Sequence, residues 1–148
     1  MKTTRIIAII SVALCVILSS CSKNEPSSPS SLYGSSFWAG NYPTQLENND
    51  TGELDDYTAC ISLQFNGDAS ECMVETGIVG LLATNRTNYS AKWYSNETFT
   101  LYETQGGQTT QYYSGTMTSS STMSFEFLSC DKVERTVELR WMNQIGIE

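Results

Sequence analysis

The sequence predicts an all-β protein, an antiparallel up-and-down barrel of about eight strands, and three observations carry that reading. Apolar residues recur at every second position in segment after segment, the period at which strand side chains return to one face. Turn residues interrupt those segments at short intervals, as sandwiches and barrels require. The helical period of 3.6 is missing from Phe37 onward.

The first strand is "SFWAGNYP", ending at Pro43, and the irregular stretch "PTQLENNDTGELDD", Pro43 to Asp56, is read as a long loop. In "DYTACISLQF" the residues Tyr57, Ala59, Ile61, Leu63 and Phe65 alternate. Asn66-Gly67-Asp68 supplies a turn and "ECMVETGIVGLL" runs back, a hairpin. Next come "NYSAKWY" and "ETFTLYE", separated by Ser95-Asn96, then a Gly106-Gly107 loop and "TTQYYSGTMT". After Ser119-Ser120-Ser121, "TMSFEFLS" places Met123, Phe125 and Phe127 on one side. The last strand, in "KVERTVELRWM", puts Val133, Val137, Leu139 and Trp141 on one face against Glu134, Thr136 and Glu138. Short connections favour a meander, and closing it removes the exposed edges that invite aggregation.

The first 20 residues read as a cleaved secretory signal. Lys2 and Arg5 precede an apolar run from Ile6 to Leu18, and that run of 13 residues is short of the ~20 needed to span a bilayer. Residues 21–36 contain Pro26, Pro29 and seven serines, offer little to bury, and are expected to form a flexible tether. Residues 37–148 are assigned to the barrel.

Composition excludes several function classes. The leader removes Lys2 and Arg5, so six basic residues face sixteen acidic ones, a net charge of −10 in the mature chain. Such a balance opposes nucleic acid, because no cationic footprint exists to release counterions. Cys60, Cys72 and Cys130 are an odd number in an oxidising compartment, so one disulfide and one leftover thiol is the simplest arrangement, with the pairing open. Cys60 and Cys72 differ in parity across their hairpin, which sets them on opposite faces. The chain has no histidine, which argues against a zinc site and against Ser/His/Asp or Cys/His catalysis. No enzyme activity, cofactor or metal is expected. The acidic run Glu47, Asp50, Glu53, Asp55 and Asp56 does not fit the spacing of a Ca²⁺ loop and reads as a solvated loop.

Two resemblances add to this. Leu18-Ser19-Ser20-Cys21 looks like the lipobox of bacterial lipoproteins, which implies cleavage before Cys21 and acylation of that residue. Ser22 is not the aspartate that retains such proteins in the inner membrane, so the resemblance implies an outer-membrane lipoprotein, facing the periplasm or the outside. "GSSFWAGNY", "ISLQF", "YSGTMTSSSTMSFEF" and "TVELRW" together resemble the small lipocalin-like lipoproteins of the Bacteroidetes, over roughly Leu32 to Trp141. In lipocalins an arginine of the last strand covers a tryptophan of the first, which by carry-over sets Arg140 or Arg135 over Trp38; here Gly34 stands four residues before Trp38 instead of two.

Arg135 shares the apolar parity of its strand, so it either reaches water at the strand's open end or points into a barrel mouth and meets the anionic group of a ligand. Trp38, Trp93, Trp141, Phe99, Phe125 and Phe127 are predicted to fill the barrel, while Tyr94, Tyr102 and one of Tyr112 or Tyr113 face out. The expected function is a lipid-anchored binding module of the cell envelope that holds a small hydrophobic or amphipathic ligand in the barrel. The alternative is a solid-core surface protein that binds a glycan or an envelope protein. A membrane, reached through the N-terminal lipid, is the expected partner in both.

Overall fold

In a computed structural model of the protein the described residues are 28–81, 84–129 and 131–142; the leader and Cys21 lie outside them. Eight strands follow one another around a closed antiparallel barrel: β1 (Phe37–Glu47), β2 (Leu54–Phe65), β3 (Glu71–Ile78), β4 (Thr84–Trp93), β5 (Thr98–Gln105), β6 (Gln108–Met117), β7 (Thr122–Leu128) and β8 (Glu134–Trp141). Each strand pairs with its neighbour in sequence, and β8 returns to β1. The predicted up-and-down barrel is the fold.

Alternation in sequence becomes alternation across the wall. Trp38 and Tyr42 of β1, Ala59, Ile61, Leu63 and Phe65 of β2, Met123, Phe125 and Phe127 of β7, and Val137 and Leu139 of β8 are all buried. An eight-stranded barrel is just wide enough for such side chains to fill. Here aromatic rings do most of the filling. A chain of ring contacts runs from Tyr33 to Trp93 (5.0 Å), Phe99 (4.7 Å), Phe125 (6.4 Å), Phe127 (6.1 Å) and Tyr42 (4.9 Å). Each such pair contributes about 0.5–1.5 kcal/mol beyond the area it buries. Gly115 of β6 makes room for this column, since a Cβ there would stand 2.3 Å from the Phe99 ring.

One end of the barrel is plugged by residues that the sequence reading assigned to the tether. Pro29–Tyr33 form a short helix, α1, with Pro29 in its first turn and Ser28 as the cap, whose hydroxyl accepts from the Ser31 N–H (3.3 Å). The turn carries Tyr33 into the barrel end, where its ring stacks on Trp93 and meets Trp38 edge-on, and its hydroxyl donates to the Asn96 carbonyl (2.9 Å). Ser36 continues the plug: its hydroxyl donates to the Tyr33 carbonyl (2.6 Å) and accepts from Trp38 Nε1 (2.8 Å). Residues 29–36, expected to be part of a tether, therefore belong to the folded body, because a single aromatic residue in a Ser-rich segment supplies the apolar area that orders it.

The other end is unzipped. β1 pairs with β8 only at Trp38↔Trp141 and Ala39↔Arg140, β4 with β5 from Trp93 as far as Ser90, and β6 with β7 from Met117 as far as Ser114. All three ladders start at the plugged end and stop partway. The stretch from Pro43 to Asp56, expected to be a loop, is mostly ladder: β1 runs on to Glu47, which pairs with Leu54, and only 48–53 turn. Pro43 is tolerated for a reason that alternation supplies. The Phe65 N–H donates to Ser36 O (3.0 Å) and the Asn48 N–H to Glu53 O (2.8 Å), so even-numbered β1 residues bond to β2. The Pro43 nitrogen then faces the β8 side, where no ladder needs a donor.

Tyr33→Ala is expected to lower the unfolding free energy by about 3 kcal/mol by emptying the plug. Gly115→Val, which drives a side chain into Phe99, costs about 1–3 kcal/mol. Urea unfolding followed by tryptophan fluorescence measures both; an unmoved midpoint for Tyr33→Ala would show that α1 is not part of the cooperative fold.

Candidate functional site

The residues singled out from the sequence separate to opposite ends and faces. Trp38 is fully buried at the plugged end, with Trp141 5.2 Å away and Tyr33 6.3 Å away between ring centres. Neither arginine covers it. Arg140 alternates outward beside buried Leu139 and pairs with Glu138 (3.4 Å) on the outer surface. Arg135 enters β8 near the open end, opposite Phe127. Aromatic rings from α1 and β8 thus take the covering place that the family resemblance assigned to an arginine, because the chain before β1 folds back over the barrel end.

Arg135 is the centre of a polar cluster. Its Nη2 meets Asp131 Oδ2 at 2.5 Å, its Nε donates to the Ser129 hydroxyl (3.1 Å), and its guanidinium lies 5.9 Å from the Tyr42 ring centre. Asp131 also accepts from the Ser129 hydroxyl, from the Val133 N–H (3.3 Å) and, across the open seam, from the Thr44 hydroxyl of β1 (3.2 Å). Side chains therefore hold β1 to the β7–β8 connection where the backbone ladder has ended. The Arg135 and Asp131 side chains keep 26% and 13% of their exposure, so the pair is largely shielded and salt screens it weakly. The Ser129 hydroxyl, and after it the Arg135 guanidinium, hold the Asp131 carboxyl well below the usual carboxylate range. Arg135 sits at the mouth, where its charge is already paired with that of Asp131.

An open groove of about 540 Å³ lies beside this cluster, lined by Pro43, Thr44, Gln45, Asp56, Tyr57 and Thr58 of the β1–β2 hairpin and by Arg135. Gln45 Nε2 donates to Asp56 Oδ1 (2.8 Å) and fixes both side chains. The expected ligand position, the barrel's centre, is occupied by Phe99, Phe125, Leu63, Leu101 and Met123, each at most 1% exposed. Room for a ligand is at the mouth.

The acidic loop is distributed by local bonds. Asn48 Nδ2 donates to Asp55 Oδ2 (3.1 Å), and Asn48 Oδ1 accepts from the Asp50 N–H (3.0 Å). Among the described residues no three acidic or thiol side chains come together as a metal site would require. Cys60 and Cys72 are both free thiols. Cys72 is buried opposite Phe65, while half-buried Cys60 faces outward opposite Gly77, five rungs away along the β2–β3 ladder. At about 3.4 Å per rung they are far outside bridging distance. Cys130 lies outside the described residues. Burial pushes the Cys72 thiol far up.

Of the tyrosines expected outside, Tyr94 is exposed and its hydroxyl meets that of Tyr102 at 2.5 Å. A register shift between Leu101 and Tyr102 leaves Tyr112 unpaired and exposed, while Tyr113 keeps the inward parity of Gly115 and Met117 and meets Tyr89 (5.2 Å). Ser129, Asp131 and Thr44 escaped the sequence reading. The spacing Asp131 to Arg135 was visible as a pair of opposite charges, but Thr44 sits 87 positions from Asp131 and nothing local links them.

Native-state thiol titration is expected to count Cys60 as reactive and Cys72 as protected until the barrel unfolds. Asp131→Asn should destabilise the protein at neutral pH. Because the folded carboxyl titrates below its unfolded value of about 4, the contribution is complete above pH ~4 and is lost as the pH falls through the folded value. The wild-type advantage in thermal midpoint should therefore shrink in acid; a gap that stays constant from pH 7 down to pH ~2 would show that the ion pair is not its source. Comparison of the chain with protein-family models, with curated proteins and with solved structures returns no match, so the functional reading rests on the chemistry of this end of the barrel.

Proposed function

We propose that the protein is a non-catalytic binding module of the bacterial cell envelope, tethered to a membrane by acyl chains on Cys21, that meets its ligand at the open end of a solid barrel. One observation carries the position of the site: buried rings occupy the barrel axis from Tyr33 to Tyr42, while a groove of about 540 Å³ opens at the mouth. That volume is in the range of small-molecule sites.

The orientation follows from the plug. Ser28 and α1 lie at the closed end, and residues 22–28 extend at most about 25 Å from Cys21. The tryptophan end then faces the membrane and the groove faces away from it. Two or more acyl chains give stable anchoring where one does not, and the lipobox-like Leu18-Ser19-Ser20-Cys21 supports that attachment. The absence of histidine from the sequence and the neutralised state of Arg135 favour binding over catalysis.

Cys21→Ser is expected to abolish incorporation of labelled palmitate and to release the protein from the membrane fraction. A hydrophobic fluorescent probe is expected to show no saturable one-to-one uptake by the folded barrel. Saturable uptake displaced by fatty acids would return the ligand to the interior and overturn the placement at the mouth.

A further inference from the structure

We propose that the groove binds a neutral carbohydrate of one or two sugar rings. The inference rests on the open-end reading above and names its ligand chemistry.

Five of the seven lining residues are polar or charged: Thr44, Gln45, Asp56, Thr58 and Arg135. An alkyl chain laid here would strip water from a carboxylate and a guanidinium and return no hydrogen bonds. An anionic ligand is also disfavoured. Asp131 already partners Arg135, the Asp56 carboxylate stands in the groove, and Glu47, Asp50, Glu53 and Asp55 lie on the same hairpin end. A neutral sugar brings neither problem.

What the groove offers matches a polyol. The bond from Gln45 Nε2 to Asp56 Oδ1 joins the two side chains before any ligand arrives, and it leaves Asp56 Oδ2 and Gln45 Oε1 as acceptors. Adjacent sugar hydroxyls donate to such a pair, and the Thr58 hydroxyl can give or accept. A carboxylate acceptor roughly doubles the strength of each bond it receives. Ordering in advance lowers the entropy lost on binding. Pro43, on the same outward face as Gln45, Asp56 and Thr58, supplies ring carbon suited to the C–H face that a pyranose presents. This combination of a fixed carboxylate–amide pair, hydroxyls and ring carbon is what a sugar uses on both of its faces.

The test is a ¹⁵N–¹H chemical-shift titration of the folded protein with glucose, galactose, mannose, N-acetylglucosamine, maltose and cellobiose, alongside decanoate and inorganic phosphate. The expected result is saturable shifts by at least one sugar, concentrated at residues 43–45, 56–58 and 135. Asp56→Ala, an exposed position whose loss frees only Gln45, should weaken that sugar about tenfold or more. Gln45→Ala should do likewise, which guards against a folding defect in either variant. Shifts from decanoate or phosphate but from no sugar would overturn the carbohydrate inference and leave a binding site at the mouth standing. Silence from every probe would overturn both.

Discussion

The column of aromatic rings along the barrel axis is the constraint on which the rest of the molecule depends. A ring of eight strands encloses a space that must be filled, and here Trp93, Phe99, Phe125, Phe127 and Tyr42 fill it in mutual contact. Rings in mutual contact occupy the centre and leave no water-sized space around Phe99, Phe125, Leu63 and Leu101. Two glycines permit close approaches in this wall. Gly115 yields its side-chain space to Phe99, and Gly40 lets β1 approach β8, where a Cβ would stand 2.6 Å from the Glu138 carbonyl. Beyond Gly40 the two strands are no longer paired.

Backbone closure and open surface are divided between the two ends. The plugged end has complete ladders, stacked rings and a helix turn whose tyrosine is tied to a backbone carbonyl. The open end has interrupted ladders and depends on side chains, Arg135, Asp131, Ser129 and Thr44, to hold the β1–β8 seam. A seam latched by polar groups leaves its surroundings hydrated and hydrogen-bonding, whereas a seam closed by backbone would offer a flat wall. The same departure from ideal closure that weakens the barrel there creates the groove. Among the described residues no buried side-chain nitrogen or oxygen lacks a partner, so this loosening leaves no unpaired buried polar side chain.

The residues that were legible from sequence are those whose role is local. Ile61, Leu63 and Phe65 announce their face by alternation, and so do Phe125 and Phe127. Cys60 and Cys72 were separable by parity alone. Pro43 misled, because a proline ends a strand only if the ladder needs its N–H, and which edge is open depends on β8, nearly a hundred residues away. Tyr33 misled in the opposite sense, since Ser-rich composition describes a segment's average and one ring decided its fate. The pairing of arginine with Trp38 came by resemblance and failed on geometry: Arg135 lies at the far end of β8, and Arg140 points outward.

By itself the sequence determined the strand period, the turns between strands, the number of strands and therefore the meander, because each of those is set by residues within a few positions of one another. It also determined the acidic balance and the want of histidine, which bound the chemistry. Only the tertiary structure decided that the barrel is solid, that its mouth is latched by Thr44 and Asp131, and that the groove lies along β1 and β2. Those features depend on which side chains meet across the ring, and the distance between Thr44 and Asp131 in the chain carries no trace of their contact in space.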